Sequence, residues 1–273
     1  MIFETNKLTE ILNQNIESMF YFKDFMPDHS IERVVPTGHV FILIELDGFI
    51  RNIFDNTSLN PIKEFHKVWV SGMHKNHISI SAHQNSEMLV VQFKPSGAYP
   101  FFNQDMSTLN EQVVSGKEIY GSEIYDLRDA ITKAELLSDK FKQVENWLLS
   151  KYQKRKVPAK ELLSVIENLQ ENPVVNYNKA IEEYSKTQKH LINQFKKYVG
   201  LTPKYYQRIL RFNQILAEIH QSKKIEWSDI AYQFEYTDQS HFIKEFKHFS
   251  GFNPQKFIQE QQHTLEPNFF PLD

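Results

Sequence analysis

Two short stretches of the chain carry lysine, asparagine and serine side chains at helical spacing. They are Lys189, Asn193 and Lys196 in the first stretch, and Ser240, Lys244 and Lys247 in the second. At 3.6 residues per turn, residues three or four apart share one face of a helix. Ammonium groups bind phosphates, and asparagine can hydrogen-bond adenine in the major groove. The chemistry that these side chains can do is therefore recognition of nucleic acid.

The two stretches belong to one internal repeat. Residues 188–206 (QKHLINQFKKYVGLTPKYY) align without a gap with residues 239–257 (QSHFIKEFKHFSGFNPQKF), and seven of the nineteen positions are identical. About one identity is expected by chance from background composition. A repeat indicates one supersecondary unit used twice. A small basic helical unit used twice is typical of a protein that reads two neighbouring segments of DNA.

Each copy has the sequence signals of a helix that packs on a core. Phe242, Phe246 and Phe249 recur at helical spacing and predict the buried stripe of the second copy. A shorter helical pattern precedes each copy, and we expect Ser185 and Thr237 to cap the longer helices. Helix, short turn and helix is the helix-turn-helix arrangement. Further core residues are predicted at Phe195, Trp227, Ile230 and Ala231.

Glycine and proline predict where each helix ends and the next one begins. Gly200 and Gly251 stand where a left-handed residue ends a helix. Thr202-Pro203 and Asn253-Pro254 then combine an N-cap with proline at the first helical position.

The segment from Ile230 to Phe257 (IAYQFEYTDQSHFIKEFKHFSGFNPQKF) resembles the second helix-turn-helix of the AraC family of bacterial transcription regulators. The resemblance implies that residues 157–262 form a DNA-binding domain of seven helices. It also implies a long linker helix between the two motifs, from Pro203 to about His220. The family usually has a glycine in the turn where this chain has Tyr184 and Glu235.

AraC family members read bases with the N-terminal half of each recognition helix. The resemblance thus implies base contacts by Gln188, Lys189, Asn193, Gln239, Ser240, His241 and Lys244. Helix capping is an equal alternative for Gln188 and Gln239. We expect Lys196, Lys197 and Lys247 to contact phosphates, with a solvated charge as the alternative. Many relatives have arginine at the places of Asn193 and Lys244, so we expect a weaker preference for guanine here.

Charge is divided unequally along the chain. Residues 1–150 contain 13 Lys+Arg and 20 Asp+Glu, a net charge of −7, whereas residues 151–273 contain 18 and 14, a net charge of +4. The basic part is the part with the repeat, as binding to phosphates requires. The chain has no cysteine, which excludes disulfides and thiolate metal sites. It has no signal-peptide pattern and no long apolar run, so we expect a cytoplasmic protein without membrane association.

The N-terminal part is predicted to be rich in strands. Apolar runs at 39–46 and 49–54 flank Asp47-Gly48, which predicts a hairpin. Further strands are predicted at 67–70, 77–80 and 88–93. The pattern around Arg33–Gly38 and Phe93–Ala98 resembles an uncharacterised type of cupin-like sensor domain of AraC-like proteins. That resemblance implies effector binding, self-association as a homodimer, or both.

Histidines in this part raise the alternative of a cupin-like metal-binding enzyme or metal sensor fused to the DNA-binding domain. The candidate ligands are His66, His74, His77, His83 and Glu87. Neighbouring side chains on a strand point to opposite faces, and the compact His-x-His spacing of metal cupins is absent. We therefore expect no metal site, no cofactor and no catalytic residue. The glycine-rich phosphate loops and nucleophile elbows of enzymes are also absent from the sequence.

The sequence as a whole predicts an α+β chain. A β-rich, cupin-like sensor or dimerisation domain, folded as a small β-barrel or sandwich, occupies residues 1–125. A helical connector and linker follow at 126–156. Within it we expect one helical stretch from Asp126 to about Lys151 and a charged linker at Gln153–Ala159. An all-α domain with two helix-turn-helix motifs follows at 157–262, and residues 263–273 form a tail. The expected partners are double-stranded DNA and, in the N-terminal domain, a small-molecule effector.

Overall fold

The computed structural model describes residues 1–221, 225–261 and 268–273. Strands dominate up to Ser115, and helices dominate after it. The predicted α+β class, with a strand-rich N-terminal part and a helical C-terminal part, is therefore confirmed. The predicted end of the DNA-binding domain at 262 and the start of the tail at 263 lie outside the described residues.

One antiparallel sheet, sheet A, has the strand order β1-β2-β9-β4-β7-β10. Its strands are β1 (Ile2–Thr5), β2 (Ile16–Phe25), β4 (Val40–Glu45), β7 (Val68–Ser71), β9 (Ser86–Phe93) and β10 (Val113–Ser115). Alternate residues of β4 face opposite sides, so Val40, Ile42 and Ile44 are buried while Phe41 and Leu43 are half-buried. The fully buried side of the sheet contributes to the main hydrophobic cluster of the molecule.

The second antiparallel sheet, sheet B, has the order β11-β3-β8-β5-β6. Its strands are β3 (Ile31–Val34), β5 (Arg51–Phe54), β6 (Pro61–Phe65), β8 (Ile78–Ser81) and β11 (Phe269–Pro271). A smaller cluster that includes Phe65, Trp69 and Met88 joins side chains of both sheets. The strands thus form two separate sheets, which agrees with the sandwich of the two expected alternatives and not with a closed barrel.

The predicted hairpin at Asp47-Gly48 is wrong. β4 lies in sheet A and β5 in sheet B, so the segment between them crosses from one sheet to the other. Arg51 Nη2 donates to Asp47 Oδ2 at 2.6 Å, and Arg51 Nε donates to Glu45 Oε1 at 3.1 Å. Trp69 Nε1 also donates to Glu45, at 2.7 Å. Burial raises the pKa of Glu45 to about 7, although Arg51 opposes the shift. These buried polar contacts override the local turn signal.

Helices pack on the side of sheet A that faces away from sheet B. Short helices lie at α1 (Glu10–Asn13) and α2 (Gly116–Tyr120). The single helical stretch expected from Asp126 is two helices, α3 (Glu123–Lys133) and α4 (Leu137–Lys151), which pack against each other. Single turns of 3₁₀ helix lie at Tyr99–Phe101, Met106–Leu109 and Lys154–Lys156.

The charged segment predicted as a linker lies against the N-terminal part. The backbone N–H of Gln153 donates to the carbonyl of Pro100 at 2.9 Å, and its side chain donates to Asn103 at 3.0 Å. Lys156 Nζ donates to the carbonyl of Phe102. The connection is therefore held in place by hydrogen bonds along its length.

The C-terminal part consists of helices with the repeat at equivalent places. Their bounds are α5 (Lys160–Glu171), α6 (Tyr177–Ala180), α7 (Gln188–Tyr198), α8 (Pro203–Gln221), α9 (Trp227–Gln233), α10 (Gln239–Ser250) and α11 (Pro254–Gln261). The predicted linker helix is α8. Its start at Pro203 is confirmed, with Thr202 Oγ1 accepting from the Tyr205 N–H at 3.3 Å. Asn253 does the same for α11 by accepting from the Lys256 N–H at 2.8 Å.

The capping residues of the two long repeat helices differ from the prediction. Thr187 accepts from the His190 N–H at 3.2 Å, and Asp238 accepts from the His241 N–H at 2.8 Å. These two residues occupy equivalent places in the repeat, one position before Gln188 and Gln239. The expected cap Ser185 instead donates to Glu161 at 3.0 Å. The helix ends are as predicted, since Gly200 has φ +94° and Gly251 has φ +77°.

Aromatic packing along α8 joins the two repeat copies. Phe212 lies 5.5 Å from Phe246 and 5.0 Å from Phe249, measured between ring centroids. Tyr206, further toward the start of α8, lies 6.2 Å from Phe195 of α7. The predicted core residues Phe195, Phe246, Ile230 and Ala231 are buried, and Trp227 is half-buried.

The helical part is docked on the N-terminal part. Asn213 of α8 donates to the carbonyl of Pro36 at 3.0 Å, and Tyr205 donates to the carbonyl of Lys75 at 3.4 Å. Tyr99 packs edge-on against Tyr198 of α7 at 4.8 Å. A single hydrophobic cluster extends from sheet A through α8 to α11. The two parts therefore share one core.

The C-terminal strand β11 adds a further contact between the N-terminal part and the C-terminal helices. It pairs with β3, and the side chain of Asp273 accepts from the N–H groups of Ser30 and Ile31 at 3.0 and 2.9 Å. Phe270 is fully buried and lies 4.5 Å from Phe257 of α11. β11 thus packs on α11 of the C-terminal helices while it extends sheet B of the N-terminal part.

We expect Phe246→Ala to lower the free energy of unfolding by roughly 3–5 kcal/mol, since it empties a fully buried aromatic site. Thermal and urea unfolding of the full chain would measure the loss. Ile243→Ala on the same helix is the matched control, because Ile243 is 37% exposed. Its cost should be about 1 kcal/mol or less. Equal costs for both variants would mean that the buried face of α10 is wrongly placed.

Phe270→Ala should release β11 from β3, because Phe270 is the side chain that anchors the strand on α11. Hydrogen–deuterium exchange at the Val35 and Leu272 amides, which bond to Asn268 and Ile31 across this pair, would then accelerate. Phe269→Ala is the control, since Phe269 is 37% exposed on the same strand. Unchanged protection in Phe270→Ala would contradict the anchoring role.

Candidate nucleic-acid interface

The first repeat helix, α7, exposes most of the residues that the sequence assigns to DNA. Gln188, Lys189, Asn193 and Lys196 are exposed, while Leu191 and Phe195 on the opposite face are fully buried. This arrangement follows directly from the helical spacing. The exposed face carries two ammonium groups and two amides, and no acidic side chain of α7 lies among them.

The second repeat helix, α10, presents the same pattern. Gln239, Ser240, His241 and Lys244 are exposed on its N-terminal half, and Lys247 is exposed one turn further on. Phe242, Phe246 and Phe249 are buried behind them. The two helices therefore present equivalent polar faces, with Asn193 and Lys244 at equivalent places of the repeat.

The glutamines at the start of each helix are free of the capping role considered as their alternative. Thr187 and Asp238 provide the caps, so the side chains of Gln188 and Gln239 are not needed for that purpose. His241, one turn into α10, packs edge-on against Tyr236 with ring centroids 5.3 Å apart.

The turns inside the two motifs differ from each other. Glu235 has φ +55°, which is the left-handed conformation that a glycine would adopt easily. Tyr184 has no such backbone geometry; its hydroxyl instead bonds His190 Nδ1 at 2.8 Å. The second motif thus keeps a left-handed turn without glycine, and the first motif uses a different turn held by a side-chain contact.

Lys197 is placed differently from the other lysines. It is half-buried, and its Nζ lies 5.2 Å from the centroid of the Tyr99 ring in the N-terminal part. In this arrangement Lys197 contributes to docking. Lys196 and Lys247, by contrast, are exposed.

A buried carboxylate fixes α10 on α8. Glu245 accepts from Arg208 Nε at 3.0 Å, from Arg211 Nη2 at 2.7 Å and from the Tyr236 hydroxyl at 3.0 Å. Burial alone would raise the pKa of Glu245, but the hydrogen bonds and charges of the two arginines outweigh it, and the pKa is lowered. The contact orients the second recognition helix relative to the linker helix.

Sequence reasoning missed this network. The available signal was an acidic residue on a basic helix, next to the buried stripe, together with two arginines three residues apart on the linker helix. The equivalent residue of the first copy is Gln194, which carries no charge. The network therefore belongs to the second motif alone.

Both recognition helices meet the N-terminal part at their C-terminal ends. A Cβ at Gly200 would lie 3.1 Å from the carbonyl oxygen of Met106, and one at Gly251 would lie 2.5 Å from Arg33 Nη1. The helix halves that the sequence predicts to contact bases begin at Gln188 and Gln239, twelve residues before these glycines. The N-terminal part therefore contacts the C-terminal ends of the two helices and leaves their N-terminal halves exposed.

The histidines considered as metal ligands are dispersed. Among the residues that the structure describes, no group of three or more His, Asp or Glu side chains could hold a metal ion. His74 bonds Ser71 at 3.0 Å, and His83 stacks on Phe49 at 4.9 Å. Glu87 accepts from Tyr21 at 2.8 Å. His77 lies at the contact with α10, where burial lowers its pKa to about 4.

Comparison with known families divides the chain as the structure does. Residues 9–115 match a domain of unknown function (DUF6597), and residues 182–260 match a helix-turn-helix domain. A curated relative is described as an uncharacterized HTH-type transcriptional regulator, YbfI, of Bacillus subtilis (strain 168). It is 24% identical over 228 residues, which cover 81% of this chain and 81% of the relative. In the described part of the chain, no helix is both long and apolar enough to cross a membrane.

Solved structures with a distant overall likeness include ToxT from Vibrio cholerae. One ToxT structure at 1.65 Å resolution is 13% identical, covers 95% of this chain and 98% of that chain, and has a TM-score of 0.44. Another, bound to an unsaturated fatty acid, is 13% identical, covers 89% and 96%, and has a TM-score of 0.45.

We expect Glu245→Gln to remove a pH dependence of stability. Because the folded pKa of Glu245 lies below its ordinary value of 4.5, its stabilising contribution is present above about pH 4.5 and is lost as the pH falls through the folded pKa. The variant should also be less stable by about 2–3 kcal/mol near pH 7, since two arginines lose their shared partner. Urea unfolding from pH 3 to pH 7 measures both effects. Equal pH profiles for variant and wild type would contradict the assignment.

Proposed function

We propose a mode of operator recognition for this protein. The protein is a DNA-binding transcriptional regulator, and its C-terminal helices form an AraC-type helix-turn-helix domain. Helices α7 and α10 enter two successive major-groove segments on one face of the duplex. The observation that carries the proposal is the matched exposure of polar residues on the N-terminal halves of both helices, with aromatic residues buried behind them. Recognition helices of helix-turn-helix proteins contact base edges in this way.

Seven residues are proposed to contact bases: Gln188, Lys189, Asn193, Gln239, Ser240, His241 and Lys244. The exposed amides suit adenine, and the lysine ammonium groups suit the acceptors of guanine. Without arginine at Asn193 or Lys244, the planar guanidinium fork that guanine prefers is absent, so the guanine preference at these two positions should be weaker. Lys196 and Lys247 are proposed to contact phosphates, which position the protein without reading sequence.

The rigid connection between the two motifs supports reading of two neighbouring segments. α8 packs on α7 through Tyr206 and on α10 through Phe212, and the Glu245 network fixes the second of these contacts. Major-groove segments on one face of B-DNA recur every ~34 Å, or about 10 base pairs. A fixed linker helix selects one spacing, so the protein should tolerate few insertions between the two segments.

The N-terminal part is proposed to control the DNA-binding helices through the docking surface. It contacts the C-terminal ends of both recognition helices and the start of α8, so any event that shifts it changes their orientation or mobility. We propose that this event is the binding of a small-molecule effector, formation of a homodimer, or both. The protein acts in this proposal by binding and not by catalysis, in the cytoplasm where its operator lies.

The domain limits are also part of the proposal. We assign residues 1–125 to the regulatory domain, 126–156 to the helical connector and linker, 157–262 to the DNA-binding domain and 263–273 to the tail. The pairing of β11 with β3 supports a regulatory role for the tail, since this segment joins the ends of both domains.

Single substitutions should separate base readout from phosphate contact. Lys244→Ala and Asn193→Ala should each cost roughly 1–3 kcal/mol on the cognate site. Each should relax the preference at a different base position, about 10 base pairs apart. Lys196→Ala and Lys247→Ala should weaken binding to all sequences alike and reduce the salt slope by about one unit each.

The measurement is fluorescence anisotropy with single-base-substituted sites at two salt concentrations, on an operator first selected from a random library. Lys142→Ala, at an exposed position of α4, is the control and should change nothing. If Lys244→Ala and Asn193→Ala weaken all sites equally and leave the base profile intact, these residues do not read bases.

A further inference from the structure

A cleft of about 380 Å³ lies where the DNA-binding helices meet sheet B. Three segments form its walls. Arg33 and the loop around Asn56 come from the N-terminal part, Lys247, Phe252 and Lys256 come from α10, α11 and the turn between them, and Leu272 comes from the end of the chain. The volume lies in the range of ~300–1,000 Å³ that is common for small-molecule sites.

Arg33 is the unusual residue of this cleft. It is only 7% exposed, and its buried Nε has no hydrogen-bond partner. Its Nη2 donates to the carbonyl of Asn56 at 3.3 Å, and the guanidinium lies 4.5 Å from the centroid of the Phe252 ring. A buried guanidinium normally has a carboxylate partner, because burying an unpaired charge is costly.

The described side chains around the cleft provide no such partner. None of the ion pairs between described residues involves Arg33, Lys247 or Lys256. The nearby carboxylates are engaged elsewhere. Asp55 accepts from Thr57 and Ser58 within its own turn, and Asp273 accepts from Ser30 and Ile31. Three cationic side chains thus line one cleft without a facing acid among the side chains that the structure describes.

We propose that this cleft is a binding site for a small oxyanion, a molecule that carries a phosphate or carboxylate group, which bridges Arg33 of the regulatory domain to Lys247 and Lys256 of the DNA-binding domain. A guanidinium presents paired donors that match the oxygens of such a group. The two exposed lysines add charge at the mouth of the cleft without the cost of burial.

A free anion fits the site better than a phosphate of the DNA backbone does. The guanidinium of Arg33 is recessed between sheet B and Phe252, whereas the phosphates of a duplex lie on a broad outer surface. Lys247 is the residue that both could use, because it is exposed and follows the base-reading half of α10. Occupancy of the cleft and contact of Lys247 with DNA should therefore compete.

The site also exists only while the two domains are docked, since its walls come from both. An anion that binds there stabilises the docked arrangement by mass action. This step rests on the proposed control of the DNA-binding domain by the N-terminal domain, but the binding of the anion itself does not.

The test is isothermal titration of the full-length, DNA-free protein with inorganic phosphate and, separately, with succinate at matched ionic strength. The wild type should show saturable binding near one site per chain for at least one of the two, and the stronger of them identifies the class of oxyanion.

Lys256→Gln and Arg33→Lys should bind about tenfold more weakly, the usual scale for losing a charged hydrogen bond. Lys142→Gln, remote on α4, should bind like the wild type. Circular dichroism identifies any variant that fails to fold, and Lys256→Gln, at an exposed position, keeps the test valid if Arg33→Lys does.

Absence of saturable binding by the wild type, or equal affinities of wild type and Lys256→Gln, would overturn the proposal. Operator binding by the same variants distinguishes the DNA alternative. If Lys256→Gln weakens operator binding about tenfold while neither anion binds the free protein, the cleft belongs to the DNA interface. Loss of base selectivity in Lys244→Ala is measured independently, so the operator proposal and the anion site can fail separately.

Discussion

Both recognition helices depend on aromatic packing against one helix, α8. Tyr206 contacts Phe195 of the first motif, and Phe212 contacts Phe246 and Phe249 of the second. Rings of this size dominate the energetics of a small core. α8 is the longest element that packs on both motifs, because α6 spans only four residues and α9 only seven. The distance between the two reading surfaces is therefore a property of α8.

The same helix carries the contacts that join the two domains. Tyr205 reaches the carbonyl of Lys75, Asn213 reaches the carbonyl of Pro36, and Gly38 approaches Tyr206 closely enough that a Cβ there would lie 3.4 Å from the ring. One face of α8 packs on the two motifs, and an adjacent face contacts the N-terminal part. A displacement of the N-terminal part would therefore act on the helix that sets the spacing of the motifs.

Sequence patterns predicted the helical part better than the sheets. The repeat, the left-handed glycines and the prolines at helix starts are local signals, and the structure confirms Gly200, Gly251 and Pro203. The Asp47-Gly48 hairpin failed because a buried group, Glu45 with Arg51, determines the path of the chain there. β11 was not predicted, since its partner β3 lies more than two hundred residues away and pairing over that distance leaves no local pattern. The role of Glu245 was also missed, because its partners Arg208 and Arg211 lie on another helix and no local pattern shows the contact. Which residues contact DNA stays a prediction from helix faces.

The two motifs are held by different contacts. The second motif has its own ion-pair network, in which Glu245 bonds Arg208 and Arg211. The first motif has the uncharged Gln194 at the equivalent place. Its helix α7 instead contacts Tyr99 of the N-terminal part through Tyr198 and Lys197. Loss of docking would remove support from α7 while the Glu245 network continued to hold α10 on α8. Among the described residues, the contacts of α7 to the N-terminal part therefore have no ion-pair network behind them, whereas α10 has the Glu245 network as well as the close approach of Gly251 to Arg33.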